Sequence, residues 1–122
     1  MAIKVERVYK PRPGQDGYRV LVDRLWPRGL SKGAAGIDLW MRDVAPSTEL
    51  RKWFGHKVDR WPEFRERYEQ ELASHGELLD LLVDIDHHRA GVILLFGAHD
   101  RVHNEAQVLA DVLRRRPPHA HQ

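Results

Sequence analysis

The sequence predicts a compact α/β domain in three layers, a small and mostly parallel sheet flanked by helices. Three observations lead there. Residues 18–23 and 92–98 carry uninterrupted apolar centres, Val20-Leu21-Val22 and Val92-Ile93-Leu94-Leu95-Phe96, the pattern of strands buried on both faces. Between them lie segments whose apolar residues recur every three or four positions, as amphipathic helices require. The second apolar strand then feeds another such segment, the order expected of a parallel sheet with helical crossovers. An α+β arrangement with mixed strand directions is the alternative.

Residues 3–9 read as a first strand, and 11–17, with Pro11, Pro13, Gly14 and Gly17, as a loop. Pro27 and Gly29 close the second strand, 31–36 is a loop of small residues, and 37–40 suits a further short strand. Pro46-Ser47-Thr48-Glu49 opens a helix, with Ser47 as its cap and Glu49 at the positive end of its dipole. Leu50, Trp53 and Phe54 form its apolar face and Gly55 its stop. Asp59 is placed to cap the next helix, with Pro62 in the first turn, a stripe of Trp61, Phe64, Tyr68 and Leu72, and Gly76 at its end. Leu78, Leu81, Leu82 and Ile85 make a third helix face. The last helix is expected to begin near Asp100–His103 and to carry Ala106, Leu109, Val112 and Leu113. Arg114, Arg115 and Arg116 suit its C-terminal end, and Pro117-Pro118 stop it. This makes residues 1–116 a single domain and 117–122 a disordered tail.

Composition supports this reading. With 122 residues, 42% hydrophobic and 31% charged, the chain has the profile of one globular domain, not of a collagen-like or disordered polymer. No apolar run approaches the ~18–20 residues of a membrane span, and the N-terminus lacks the apolar stretch of a secretory signal. Without cysteine there is no disulfide framework, thiolate nucleophile or Cys-based zinc site. A cytoplasmic location follows as the expectation. The basic residues are 15 Arg and 5 Lys, a bias that suits an anionic partner and that GC-rich coding also produces. A net charge of +2 is too small to mark a nucleic-acid surface by itself.

Three segments are equipped for chemistry. Asp23-Arg24-Leu25-Trp26-Pro27-Arg28 lies where a buried strand runs out, the edge at which open α/β sheets collect ligands. There Arg24 and Arg28 suit an anion clamp, Asp23 a base or an arginine partner, and Trp26 an apolar wall. An Asp23–Arg pair that only pins the loop is the structural alternative. His99-Asp100-Arg101-Val102-His103-Asn104 follows the strongest strand. Asp100 suits a helix cap, His103 an acid or base near neutral pH, and Asn104 a hydrogen-bonding wall. Ala45-Pro46-Ser47 through Arg51 and His56 is the third. Ser47 has no G-x-S-x-G elbow around it and reads chiefly as a cap, while Arg51 either faces solvent or reaches the same anion as Arg24.

Eight histidines raise the question of a metal, but none stands in an H-E-x-x-H arrangement. His99, Asp100 and His103 are the nearest approach to a ligand set, and neither metal nor cofactor is expected. Walker and G-x-G-x-x-G loops are absent, so nucleotide binding by those devices is not expected. Trp26, Trp40, Trp53 and Trp61, interleaved with Arg, are compatible with a base-stacking platform, although Trp53 and Trp61 fall on apolar helix faces.

These segments resemble the YeaO-like proteins, a family of unknown function (domain of unknown function 488). The likeness runs from Ile3 to about Leu113 and is carried by Val22-Asp23-Arg24-Leu25-Trp26-Pro27-Arg28-Gly29, by Ala45-Pro46-Ser47 with Leu50-Arg51, Trp53-Phe54 and His56, by Trp61, Phe64, Tyr68 and Glu71-Leu72, and by Asp100, His103-Asn104 and Ala106. It implies a small bacterial or archaeal cytosolic α/β protein with no settled activity. Two positions depart from the family pattern, which has Tyr where Phe96 stands and Lys where His99 stands.

The favoured functional expectation is a hydrolase-like enzyme acting on a small anionic or phosphate-containing substrate. Arg24, Arg28 and Arg51 would hold the anion, with Trp26, Ser47 and Asn104 lining the site. Asp23 or Asp100 would act as base or orient His103, the acid/base. A nucleic-acid-binding module using Arg and Trp is one alternative, and a non-catalytic regulatory or partner-binding protein another. The sequence leaves substrate, reaction, catalysis itself and oligomeric state open. Each enzymatic role requires that the three segments converge.

Overall fold

Val92–Phe96 (β4), buried along its whole length, is the strand around which the sheet is built. In the computed structural model, which describes residues 3–9, 17–31, 33 and 36–116, β4 pairs in parallel with Lys4–Arg7 (β1) on one side and Tyr18–Leu21 (β2) on the other. Leu39–Trp40 (β3) adds in parallel to β2, giving the order β1-β4-β2-β3. The α/β class and the parallel sheet stand as expected. Two-sided burial of β4 explains its unbroken apolar run.

Among the described residues four longer helices follow: Thr48–Phe54 (α1), Trp61–Ala73 (α2), Gly76–His88 (α3) and Glu105–Arg115 (α4). Because strand side chains alternate, the sheet has two different faces. Val20, Val92, Leu94 and Phe96 meet the helices, packing with Phe54, Phe64, Tyr68, Leu72, Leu82 and Leu109. Leu21, Ile93 and Leu95, with Val8, form a second cluster covered by Tyr9, Trp26, Leu30, Ile37 and Trp40. Trp26 and Trp40 meet edge to face at 5.4 Å. Phe54 and Phe64 stack at 4.4 Å, locking α1 onto α2, an aromatic contact worth about 0.5–1.5 kcal/mol beyond its buried area.

Several local expectations are corrected. Asp59 does not cap α2: it lies in a 3₁₀ turn, Val58–Arg60, that runs directly into the helix, whose N-cap is Arg60 without a side-chain bond. Gly76 opens α3 and does not end α2, which stops at Ser74. The buried stripe of α3 is Leu79, Leu82, Val83 and Asp86, and Leu81 is exposed. The run Leu78-Leu79…Leu81-Leu82-Val83 holds two overlapping helical periodicities, and packing selects the second. Asp86 is buried because its carboxylate accepts the Val92 amide at the start of β4. Finally, α4 begins at Glu105 with Asn104 as its cap, not at Asp100. The loop expected at 11–17 lies outside the described residues but for Gly17, and the tail at 117–122 lies wholly outside them.

Candidate functional site

The carboxyl ends of β2 and β4 lie side by side, because the two strands are hydrogen-bonded neighbours. Beyond β2 the chain places Asp23 and Arg24, and beyond β4 it places Gly97. Asp23 Oδ2 accepts the Gly97 amide at 2.8 Å, tying the two strand ends together. A β-carbon at position 97 would stand 3.0 Å from that oxygen, so the close approach needs glycine. The Trp40 indole donates to the Asp23 carbonyl at 2.7 Å, and Arg7 donates to the Ala98 carbonyl at 2.9 Å. The turn is therefore fixed from three sides.

Arg24 is partly committed. Its Nε donates to the Pro46 carbonyl at 3.0 Å and its Nη2 to that of Ala45 at 3.2 Å. These bonds draw the entrance of α1 towards the end of β2. Ser47 caps α1, accepting from the Leu50 amide at 3.1 Å, and donates to Glu71 Oε2 at 2.6 Å. It is not among the residues lining the hollow described below, and its hydroxyl is engaged with the Leu50 amide and with Glu71.

Asp100 does not cap α4, yet it organises the turn before it. Its Oδ1 accepts the Val102 and His103 amides at 2.8 and 2.9 Å, and its Oδ2 meets His103 Nδ1 at 2.9 Å. The His103 and Val102 amides, followed by the His103 side chain, bring the Asp100 pKa down to about 2. His103 stands edge-on to Trp61 at 5.2 Å. Buried Asn104 accepts from the Gln107 amide and donates to the Asp100 carbonyl at 2.9 Å.

These segments surround one hollow of about 850 Å³, within the range typical of small-molecule sites. It is lined by Asp23, Arg24, Trp26, Arg28, Arg51, Asp100, His103 and Asn104, which are all the sequence-derived candidates except Ser47. Trp26, Phe54 and Phe64 give it apolar walls, and Arg28, Arg51, Lys52 and His56 are exposed. Tyr9 donates to the Arg28 carbonyl at 3.0 Å and steadies the loop that carries it. Among the described residues no group of three or more His, Asp or Glu side chains is arranged to hold a metal ion. The four tryptophans are dispersed: Trp26 and Trp40 cover the second sheet face, Arg60 and Arg67 lie over Trp53, and Trp61 packs beside Phe54, Phe64 and His103.

Sequence reasoning missed Glu105. As the first residue of α4 it reads as an ordinary acid complementing the helix dipole. In the fold it lines the hollow and shares a hydrogen bond with Asp23. Burial first, then the Asp23 charge and that bond, raise its pKa well above the ordinary carboxyl value. The signal available was its place directly after the Asn104 cap, in a turn already suspected of forming the site wall. Tyr68 is fully buried, donating to the Val44 carbonyl at 2.6 Å. Burial, with Glu105, Glu71 and Asp23 nearby, raises its pKa as well.

The profile of a family described as the inactive DUF488-N3 subclade matches residues 2–121. The chain belongs to that subclade. It is 46% identical over 114 residues to the uncharacterized protein YeaO of Escherichia coli K12, covering 93% of this chain and 98% of that protein. It is also 46% identical over 79 residues to the uncharacterized proteins Mb3100c of Mycobacterium bovis and Rv3073c of Mycobacterium tuberculosis H37Rv, covering 65% of this chain and 67% of theirs. No solved structure matches. The DUF488-N3 chain described here has no helix, among its described residues, long and apolar enough to cross a membrane.

Proposed function

We propose that this chain binds a small anionic ligand in the hollow at the carboxyl edge of its sheet, as a receptor and not as a catalyst. One observation carries the reading. Arg28, Arg51 and Lys52 line the hollow, are exposed, and make no side-chain hydrogen bond or ion pair among the described residues. Unpaired guanidinium and ammonium groups around a concavity favour a phosphate or carboxylate, arginine in bidentate fashion. Arg24, with two of its N–H groups on backbone carbonyls, adds positive charge to the wall. The N-terminus of α4 opens on the same space and its dipole acts in the same direction.

Binding without turnover suits the lining. Among the described lining residues there is no Ser, Thr or Cys, and the Tyr9 hydroxyl is engaged with the Arg28 carbonyl. The description of the subclade as inactive points the same way. General acid–base hydrolysis remains the second reading, favoured by the Asp100–His103 contact, in which Asp100 orients Nδ1.

The test is calorimetric titration and thermal shift with inorganic phosphate, ribose 5-phosphate and small dicarboxylates. A ligand at a hundredfold its Kd stabilises the folded state by about 2.7 kcal/mol. Arg51→Ala combined with Arg28→Ala should abolish that gain while leaving the Tm without ligand nearly unchanged. If no anion raises the Tm, or if the double variant responds as the parent does, the receptor reading falls. Turnover of a phosphoester that disappears in His103→Ala would replace it with the hydrolase.

A further inference from the structure

His103 is fixed at one ring nitrogen and free at the other. Its amide donates to Asp100 Oδ1 at 2.9 Å, and its Nδ1 meets Asp100 Oδ2 at 2.9 Å. Its ring stands at 81° to that of Trp61, with the centroids 5.2 Å apart. The next residue, Asn104, is buried and caps α4. The imidazole is thus held from three directions, yet its side chain keeps 28% of its accessible surface and lines the hollow. Asp100 is ionised at neutral pH, because the Val102 and His103 amides hold its carboxylate. An ionised carboxylate only accepts hydrogen bonds, so Nδ1 carries a proton in either charge state of the ring. Nε2 is the nitrogen left over, and among the described residues it makes no hydrogen bond.

We infer that His103 Nε2 is a ligand of the bound anion, that it binds as the imidazolium, and that the hollow therefore selects a doubly charged oxyanion. This rests on the anion-binding reading and adds to it a proton-linked contact and the charge of the ligand. A neutral ring turns a lone pair towards the anion, whereas a protonated ring turns an N–H. Asp100 compensates the charge that the ring then carries. Arg28, Arg51 and Lys52 line the same hollow, so the anion meets donors from the loop after β2, from α1 and from the turn before α4. A second negative charge gains at each of these contacts. The other titratable groups around the hollow are His56 at the end of α1, His99 and Tyr9, Asp23 and Arg24 beyond β2, and Glu105 at the start of α4. From α2 comes Trp61, which bears no charge. Glu105 also disfavours an anion once it loses its proton at rising pH, so its effect has to be separated from that of His103.

The experiment is isothermal titration of the full chain between about pH 5 and pH 8, where histidine changes charge, at constant ionic strength. The probes are sulfate, which is doubly charged and has no proton to exchange in this range, and singly charged methanesulfonate. Sulfate should bind about tenfold more tightly at the acid end than at the alkaline end, and there more tightly than methanesulfonate. Its binding heat should vary with the ionisation enthalpy of the buffer in the sense of proton uptake. His103→Gln offers an amide N–H and does not titrate, so its sulfate affinity should be flat with pH and its binding free of proton uptake. His56→Gln and His99→Gln should retain both effects. Linkage is reciprocal, so sulfate must tighten the hold of the His103 ring on its proton by the same factor. Ring-proton NMR of the parent chain, with His103 identified by its contact with Trp61, should show a titration midpoint raised by about one pH unit. That measurement decides the matter if His103→Gln fails to fold. Sulfate binding that ignores pH overturns the inference and leaves the anion reading standing. So does a pH dependence that survives in His103→Gln, which assigns it to Glu105, or one that vanishes in His56→Gln or His99→Gln. Methanesulfonate matching sulfate overturns the selection of a doubly charged ligand. Binding of neither probe, nor of inorganic phosphate, at any pH overturns the anion reading as well.

Discussion

Gly97 has no left-handed backbone conformation to preserve, so an alanine there is opposed by space alone. The new methyl would sit 3.0 Å from Asp23 Oδ2 and 3.8 Å from the Tyr9 ring. Relief requires the carboxylate to retreat by a few tenths of an ångström. Two bonds resist that: the 2.8 Å bond from the Gly97 amide itself and the bond with Glu105. Replacing glycine stabilises by about 0.4–1 kcal/mol through the unfolded chain, whereas overpacking a tight site costs about 1–3 kcal/mol. A hydrogen bond to a charged group is worth about 1.5–3 kcal/mol if it is lost outright. The net expectation for Gly97→Ala is a loss of about 1–2 kcal/mol, read by differential scanning calorimetry as a Tm lower by roughly 4–8 °C in a domain of this size. The same substitution in an Asp23→Ala background should be neutral or stabilising, because the opposing oxygen is gone, which gives a coupling energy of at least about 1 kcal/mol. A Tm that rises in the parent background, or an equal loss in both backgrounds, refutes the account of the strand-end junction.

The remaining predictions concern the charges and the cap. Glu105 ionises near 4.5 in the unfolded chain and well above that when folded. The folded state thus binds the extra proton, and stability falls as pH rises from about 4.5 to the folded value. Glu105→Gln carries no ionisable group, so it should gain stability on the parent as pH rises above about 4.5, by about 1.4 kcal/mol for each tenfold in proton affinity; parallel Tm–pH curves contradict this. Asp100 has the opposite sign: its pKa falls from 3.8 to about 2 on folding, so its contribution is present above pH 4 and lost between about 4 and 2. Asp100→Asn should lower the Tm at neutral pH and flatten acid unfolding in that window, as followed by circular dichroism. Ser47→Ala removes both a cap and a bond to Glu71 and should cost about 1–2 kcal/mol without changing anion affinity. A loss of affinity at unchanged Tm would return Ser47 to the site.

Much of this arrangement was legible because it depends on local pattern. The double-sided burial of β4 and the Ser47 cap with its Gly55 stop, which adopts φ +53°, follow from residue type and spacing alone. So does the gathering of Asp23, Arg24, Asp100 and His103, since parallel strands deliver their carboxyl ends to one edge. What was not legible depends on distant partners. Asn104 outcompeted Asp100 for the α4 cap because the Asp100 carboxylate is occupied by the Val102 and His103 amides. The α3 face could not be chosen from a leucine-rich run until the sheet supplied its partner. Glu105 looks like a solvated first-turn acid unless one knows that Asp23 lies beside it.

The two departures from the YeaO-like pattern bear on that same pair. Phe96 ends β4 with its side chain in the helix-side core, where a tyrosine would add a hydroxyl one residue before the turn that holds Asp23. His99 lines the hollow where the pattern has lysine, and its Nδ1 lies 3.5 Å from the Arg7 guanidinium. An ammonium in such a space would favour ionisation of both carboxyls, since a nearby positive charge lowers the cost of a second negative one. With histidine in its place that permanent charge is gone, and Glu105 retains a proton that burial and Asp23 already favour. The chain thus keeps the walls and the cations of the hollow, with a phenyl ring in place of the pattern's hydroxyl and an imidazole in place of its ammonium.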